Sequence, residues 1–264
     1  MSDLRLPDKF EGPRLKIERA ERHLHAIDRL ISKYQACEPY VIAYKLNADE
    51  TMYEGRVIER FKPFLAFGIL IGEFVYQLRS TLDHIVYEFS VPNFPATVPE
   101  LRKAERVPQF PLFLSDPTDG GQTAFPDNYL KFVAPPVVEL VKAYQPYTHS
   151  GNDTNPHPLA VLEALNIRDK HRLVHPAAID RHLTTTLGGL PEGVHWKATS
   201  EGNQHETFIY VPAHLHPIDL NPPVFSYSLA IHIPGVAAVN IHFLSRVYEF
   251  VAQEVFPSFK NLVT

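Results

Sequence analysis

Two stretches of this chain place side chains that can titrate, pair or ligate inside otherwise apolar sequence. The first is Leu78-Arg79-Ser80-Thr81-Leu82-Asp83-His84. By three-and-four spacing Arg79 shares a helical stripe with Val75, Leu82 and Val86, and Asp83 follows it by one turn, so the two can pair on one face. His84 lies about 140° further round, at about 100° per residue, and need not face the same way. The second stretch is Leu165-Asn166-Ile167-Arg168-Asp169-Lys170-His171-Arg172, in which Asp169 falls on the stripe of Leu162, Leu165, Asn166 and Leu173. A charge on a core stripe is costly unless it is paired. The expectation is therefore that the two helices pack together, with Arg79 meeting Asp169 and Asn166, and His171 and Arg172 alongside. Such a constellation has two uses. It can be a buried salt-bridge network that fixes helix register, or a functional pocket built on titratable groups.

Other chemistry is thinner. His171 and His175 are one helical turn apart and could share a metal ion, with His84 or His157 as a third ligand. That set would suit a metal-dependent hydrolase, although no Glu stands between the two histidines as in the metalloprotease signature. Elsewhere no cofactor is expected. His214-x-His216 reads as a solvated edge, His232 and His242 as satisfied core or surface residues, and Trp196 as core. Cys37 stands beside Glu38, which does not favour a thiolate. No Gly-x-Ser-x-Gly, Walker A or Gly-x-Gly-x-x-Gly pattern occurs, and Gly120-Gly121 and Gly188-Gly189 read as turns.

The strings LRSTLDHIVYEF and PLAVLEALNIRDKHRLVHP resemble a group of bacterial proteins that carry one helix with LRxxLDHL and a later helix with NxxDKHR. The likeness covers roughly residues 64 to 176 and brings no activity with it; it implies that the two segments belong together. Arg79-x4-His84 is also similar to the Arg-x4–6-His motif of the HEPN helical domains, many of which are metal-independent ribonucleases acting as dimers. That resemblance implies that Arg79 binds the phosphate and His84 moves the proton, with RNA as substrate. The sequence departs from it at Asp83, an acid where a phosphate would be repelled.

The elements that must position these residues can be read from periodicity. Ile17, Ala20, Leu24, Ile27, Ile31 and Tyr34 form one stripe of a long first helix, which Pro39 ends. Residues 40–46 and 51–61 are β-branched and aromatic runs around Asn47-Ala48-Asp49-Glu50, a β-hairpin. A helix over about 64–90 is apolar on nearly every face as far as Leu78 and reads as the centre of the core. Seven prolines lie between 91 and 126 (92, 95, 99, 108, 111, 117 and 126), among Phe94, Phe110, Leu112, Phe113 and Phe125. Such a segment frustrates regular hydrogen bonding, and reads as a cover on the core or as a lid. Helical stretches follow over 127–134, 137–144 and 158–174. Strands are expected at 184–186, 194–199, 207–211 and 225–233, then a last helix over 241–255. The order predicts an α+β protein: a core of long helices (about 13–176 and 240–262) with an N-terminal hairpin and a C-terminal antiparallel β meander (about 180–235) in one domain.

Composition bounds the rest. The chain has 264 residues, with 25 Lys plus Arg against 30 Asp plus Glu, and 45% apolar residues. That is a globular composition whose mild acidity argues against a broad basic surface, though not a local one. One cysteine excludes an intrachain disulfide and any multi-cysteine metal centre. Residues 1–10 lack the apolar run of a secretory signal, and residues 64–78 fall short of the roughly 17 apolar residues of a membrane span. The expectations are a cytoplasmic protein that forms a homodimer, contacts no membrane, and binds a small molecule or another macromolecule without catalysis. The alternatives are the HEPN-like ribonuclease and the histidine-ligated hydrolase.

Overall fold

The computed structural model describes residues 8–117, 127–149, 156–171, 174, 176–184, 192–201, 204–217, 224–231 and 239–263. The fold is α+β, with an N-terminal hairpin and antiparallel C-terminal strands, as the patterning predicts. The chain divides into two compact units, residues 1–28, 65–175 and 232–264 in one and 29–64 and 176–231 in the other. No helix among the described residues is long and apolar enough to cross a membrane.

The first unit is helical. Its central helix α2 (Ala66–Ser90) buries Phe67, Phe74, Leu78, Leu82 and Ile85 completely, as expected of a helix apolar on most faces. Helix α1 (Glu11–Ala36) lies antiparallel to it. Gly12 lies against His84, Lys16 Nζ donates to Ser80 Oγ at 2.8 Å, and His23 Nδ1 meets Glu73 Oε2 at 3.2 Å. Each step forward along α1 is matched by an equal step back along α2. A Cβ at Gly12 would run into the His84 ring, so a larger residue there would force that ring to shift. Helix α5 (Pro158–His171) also packs on α2.

Between α2 and α5 the described part of the proline-rich segment contains an α-helix that proline frequency conceals, α3 (Val98–Ala104). Pro99 sits in its first turn, where the missing N–H costs nothing. Thr97 Oγ1 bonds the Glu100 carboxylate, the side chains of a Thr-x-x-Glu start signal. The expected helix over 127–134 is only a short 3₁₀ turn, Asp127–Leu130. Pro135 and Pro136 do not break a helix but begin α4 (Pro135–Ala143), for the same first-turn reason.

The C-terminal helix comprises α6 (Phe243–Glu249), a π-helical stretch Phe250–Val255 and α7 (Phe256–Lys260). Its irregularity follows from Pro257, which has no N–H to give to an α-helical acceptor four residues back. The Glu254 carbonyl takes hydrogen bonds from the Tyr144 hydroxyl at 3.3 Å and from Ser258 Oγ at 2.8 Å. Phe259 is fully buried, with ring centroids 6.1 Å from Phe89, 6.0 Å from Phe110 and 6.4 Å from Tyr144.

The second unit holds a four-stranded antiparallel sheet in the order β1 (Tyr40–Leu46), β2 (Met52–Glu59), β5 (Gln204–Pro212), β4 (His195–Glu201). The hairpin thus pairs, through β2, with one strand about 150–160 residues away, β5. Strands β3 (Pro176–Thr184) and β6 (Val224–Ile231) pair with each other, so the C-terminal strands do not all lie in one sheet. One face of the four-stranded sheet packs Tyr40, Val57, Val194, Ile209 and Val211. Gly55 is needed on that face, since a Cβ would lie 2.5 Å from the Tyr44 ring and 2.9 Å from Ile42. Tyr34 is fully buried and donates its hydroxyl to the Phe61 carbonyl at 2.8 Å. Of the earlier expectations, Gly120-Gly121 and Gly188-Gly189 lie outside the described residues, as do His232 and the Trp196 side chain.

Phe259 joins three aromatic neighbours in the helical unit. Phe259→Ala is expected to destabilise the protein by about 3–5 kcal/mol in urea unfolding; a change below about 1 kcal/mol would show that the cluster is not a cooperative core.

Candidate functional site

Arg79 sits on α2 with 13% of its side chain exposed, and its guanidinium is held from three directions. Nε donates to Glu163 Oε2 at 3.0 Å, Nη1 to Asp83 Oδ1 at 2.6 Å, and Nη2 to the Phe110 carbonyl at 2.8 Å. Asp83 Oδ1 also accepts the Phe110 N–H at 2.9 Å. One residue of the proline-rich segment therefore bonds the pair through both its backbone groups. Asn166, buried on α5, gives Nδ2 to Glu163 Oε2 at 3.4 Å. The expected pairing of Arg79 with Asp83 is present. The expected pairing with Asp169 is not: Glu163 of α5 takes that place.

The reason is axial register. Asp169 lies against Gly72, where a Cβ would come within 2.6 Å of its Cγ. From Gly72 to Arg79 is seven positions forward on α2, and from Asp169 to Glu163 six positions back on α5. The two helices run antiparallel, and at about 1.5 Å per residue Asp169 lies about 10 Å from the level of the guanidinium. Burial raises the carboxyl of Asp169 above the ordinary range, and no described cation pairs with it.

His84 faces elsewhere, as the 140° offset implies. Its ring lies against Gly12, its Nε2 pairs with Glu88 Oε1 at 3.1 Å, and its Nδ1 is buried without a hydrogen-bond partner. Arg172, His175 and the His171 side chain lie outside the described residues. Among the described residues no group of three His, Cys, Asp or Glu is placed to hold a metal ion.

Sequence reasoning missed Gln145. It is fully buried just beyond α4. Its Nε2 donates to the Pro111 carbonyl at 2.8 Å and to Val141 at 3.0 Å, and its Oε1 accepts the Phe113 N–H at 3.0 Å. With Arg79 and Asp83 it pins the backbone of 110–113. Nothing in the periodicity marks it, because its role depends on where the loop comes to rest. The sequence offers His157 only as a third metal ligand. It precedes α5, and its Nδ1 accepts the Leu159 N–H at 3.2 Å, a helix-capping bond. The neutral ring then carries its proton on Nε2, which is buried without a partner. Burial first, and His149 with its ring 4.7 Å away second, lower its pKa to about 4.

Neither a protein-family model nor a curated protein nor a solved structure matches this chain.

Substitution separates the acids. Asp83→Asn and Glu163→Gln are each expected to cost about 1–3 kcal/mol, and Arg79→Ala about 3–5 kcal/mol by stranding two carboxylates. Asp169→Asn is expected to leave the melting temperature unchanged or to raise it. The reverse ranking in thermal melts would place the counter-ion at Asp169.

A pH series tests His157. Because its folded pKa is depressed, its neutral form is the native one, so its contribution is complete above about pH 6.5 and is lost as pH falls toward 4. The loss is on the order of 3 kcal/mol. His157→Asn keeps a capping acceptor, and its stability should fall less than that of the parent between pH 6.5 and 4; parallel curves would refute the assignment.

Proposed function

We propose that this chain is a non-catalytic ligand-binding or interaction module that works as a cytoplasmic homodimer. The observation that carries the reading is the commitment of Arg79. An arginine that clamps a phosphate presents its fork to the ligand. Here Nε, Nη1 and Nη2 each already donate to a protein oxygen, and two of the three acceptors are carboxylates that would repel an incoming anion. The guanidinium is spent on joining α2, α5 and the 110–113 segment. Pairing of two copies is supported by Leu65, which precedes α2, and Ile69 and Tyr76 on it, 67%, 55% and 61% exposed and spaced by four and seven residues along one side.

A second reading, the HEPN-like ribonuclease, draws on one observation: His84 has a buried ring nitrogen with no partner, beside a Glu88 that could hold the ring as an acid–base group.

Two measurements test the proposal. Incubated with single-stranded RNA in chelator, the protein should leave it intact; cleavage that disappears in His84→Ala at an unchanged melting temperature would favour the ribonuclease. Light scattering should give twice the chain mass, and Ile69→Arg with Tyr76→Arg should give a folded monomer. A monomeric parent chain would remove the dimer from the reading.

A further inference from the structure

The pleat of the four-stranded sheet sends its apolar residues to one face, and the opposite face carries a different chemistry. On central strand β5 that outer face presents Phe208 and Tyr210, both half-buried. Two residues of strand separate them by about 6.6–6.8 Å. Each is flanked by its cross-strand partners. Phe208 stands between Arg56 of β2 and Lys197 of β4, and Tyr210 between Glu54 and His195. Lys45 of β1 lies next in line beyond Glu54. Arg56, Lys197, His195, Glu54 and Lys45 are all exposed.

Rings standing on a sheet usually fill a core or a partner interface. Here they stand on the face opposite the core, in a chain of net charge −5, with three cations and a histidine beside them. His195 already lies flat on Tyr210, ring centroids 4.9 Å apart and planes 15° from parallel, with its Nδ1 tied to the Gly193 carbonyl at 3.2 Å. The outer surface of that two-ring stack is the kind on which a further flat ring would sit. Aromatic rings at successive outward positions with flanking Lys and Arg are what unpaired nucleotides require: a π surface for each base and a cation for each phosphate. A duplex offers no free base faces and would not use the rings. An acidic peptide would use the cations but not a flat stack.

We propose that the outer face of the β1-β2-β5-β4 sheet binds single-stranded nucleic acid. Bases stack on Phe208 and on the His195–Tyr210 pair, and phosphates lie against Lys45, Arg56 and Lys197. The site uses no residue of the Arg79 cluster, involves no cleavage, and stands or falls apart from the proposed function above.

The test uses the full chain and fluorescein-labelled 12-mers of mixed sequence, as single-stranded RNA, single-stranded DNA and duplex DNA, followed by anisotropy at low salt. Single strands are expected to bind and duplex only weakly. RNA and DNA binding alike, or a preference for RNA through its 2′-hydroxyl, both support the site. Tyr210→Leu and Phe208→Leu keep apolar bulk but remove the ring, and each should weaken binding by about tenfold. Lys45→Gln with Lys197→Gln, at exposed positions that do not endanger folding, should reduce the slope of log Kd against log salt by about 1.4. The proposal is overturned if no single strand binds, if duplex binds as well as single strands, or if the lysine pair changes nothing.

Discussion

The helical unit depends on one buried cation. A guanidinium that leaves water must recover its hydrogen bonds from the protein, and Arg79 does so from three separate places: its own helix one turn on, a second helix, and a loop carbonyl. Such a cluster adds little net stability, since desolvation offsets most of the attraction, but it discriminates strongly between arrangements. Any slide of α5 or lift of the 110–113 segment strands a charge. The same loop residue also carries the apolar side of the structure, because the Phe110 ring lies against Phe259 while its N–H and carbonyl face Asp83 and Arg79. Polar and aromatic packing therefore fail or hold together.

Around α2 the neighbours obey one geometric rule. Both α1 and α5 run against it, and each comes close at a glycine, α1 through its own Gly12 and α5 over Gly72. Close approach lets a polar side chain, His84 or Asp169, lie along a backbone with no Cβ in its way. His23 with Glu73 and Lys16 with Ser80 then fix α1 at other levels.

Which side of each helix faces inward was legible in the sequence. The α1 stripe from Ile17 to Tyr34 is buried throughout, and the pairing of Arg79 with Asp83 follows from a spacing of four. How far one helix slides along another was not. Periodicity fixes rotation about an axis and is silent about translation along it: Asp169 lies on the inward stripe but at the wrong level, while Glu163, six positions earlier and about 120° round α5 from it, reaches Arg79 from the flank of that stripe. The start of α3 was marked by Thr97-x-x-Glu100, a signal outweighed by the neighbouring prolines. The hairpin was legible from its own residues. Its pairing with β5 was not, because that contact joins segments with no local pattern in common. Alternation did mark Phe208 and Tyr210 as facing one way, but only the register with β2 and β4 places cations on either side of them.

The π-helical stretch near the end of the chain means that segment counts differently from an ordinary helix. A run wound at five residues per hydrogen-bonded step holds a surplus residue relative to the α-helix it interrupts. Lose a single codon between Phe250 and Val255 and everything after it swings by about 100° relative to α6. Phe259 would leave its place among Phe89, Phe110 and Tyr144, and Ser258 would turn away from Tyr144. Chain length at this point is as much a part of the structure as residue identity, so drift in the gene can exchange side chains here far more easily than it can shorten the frame.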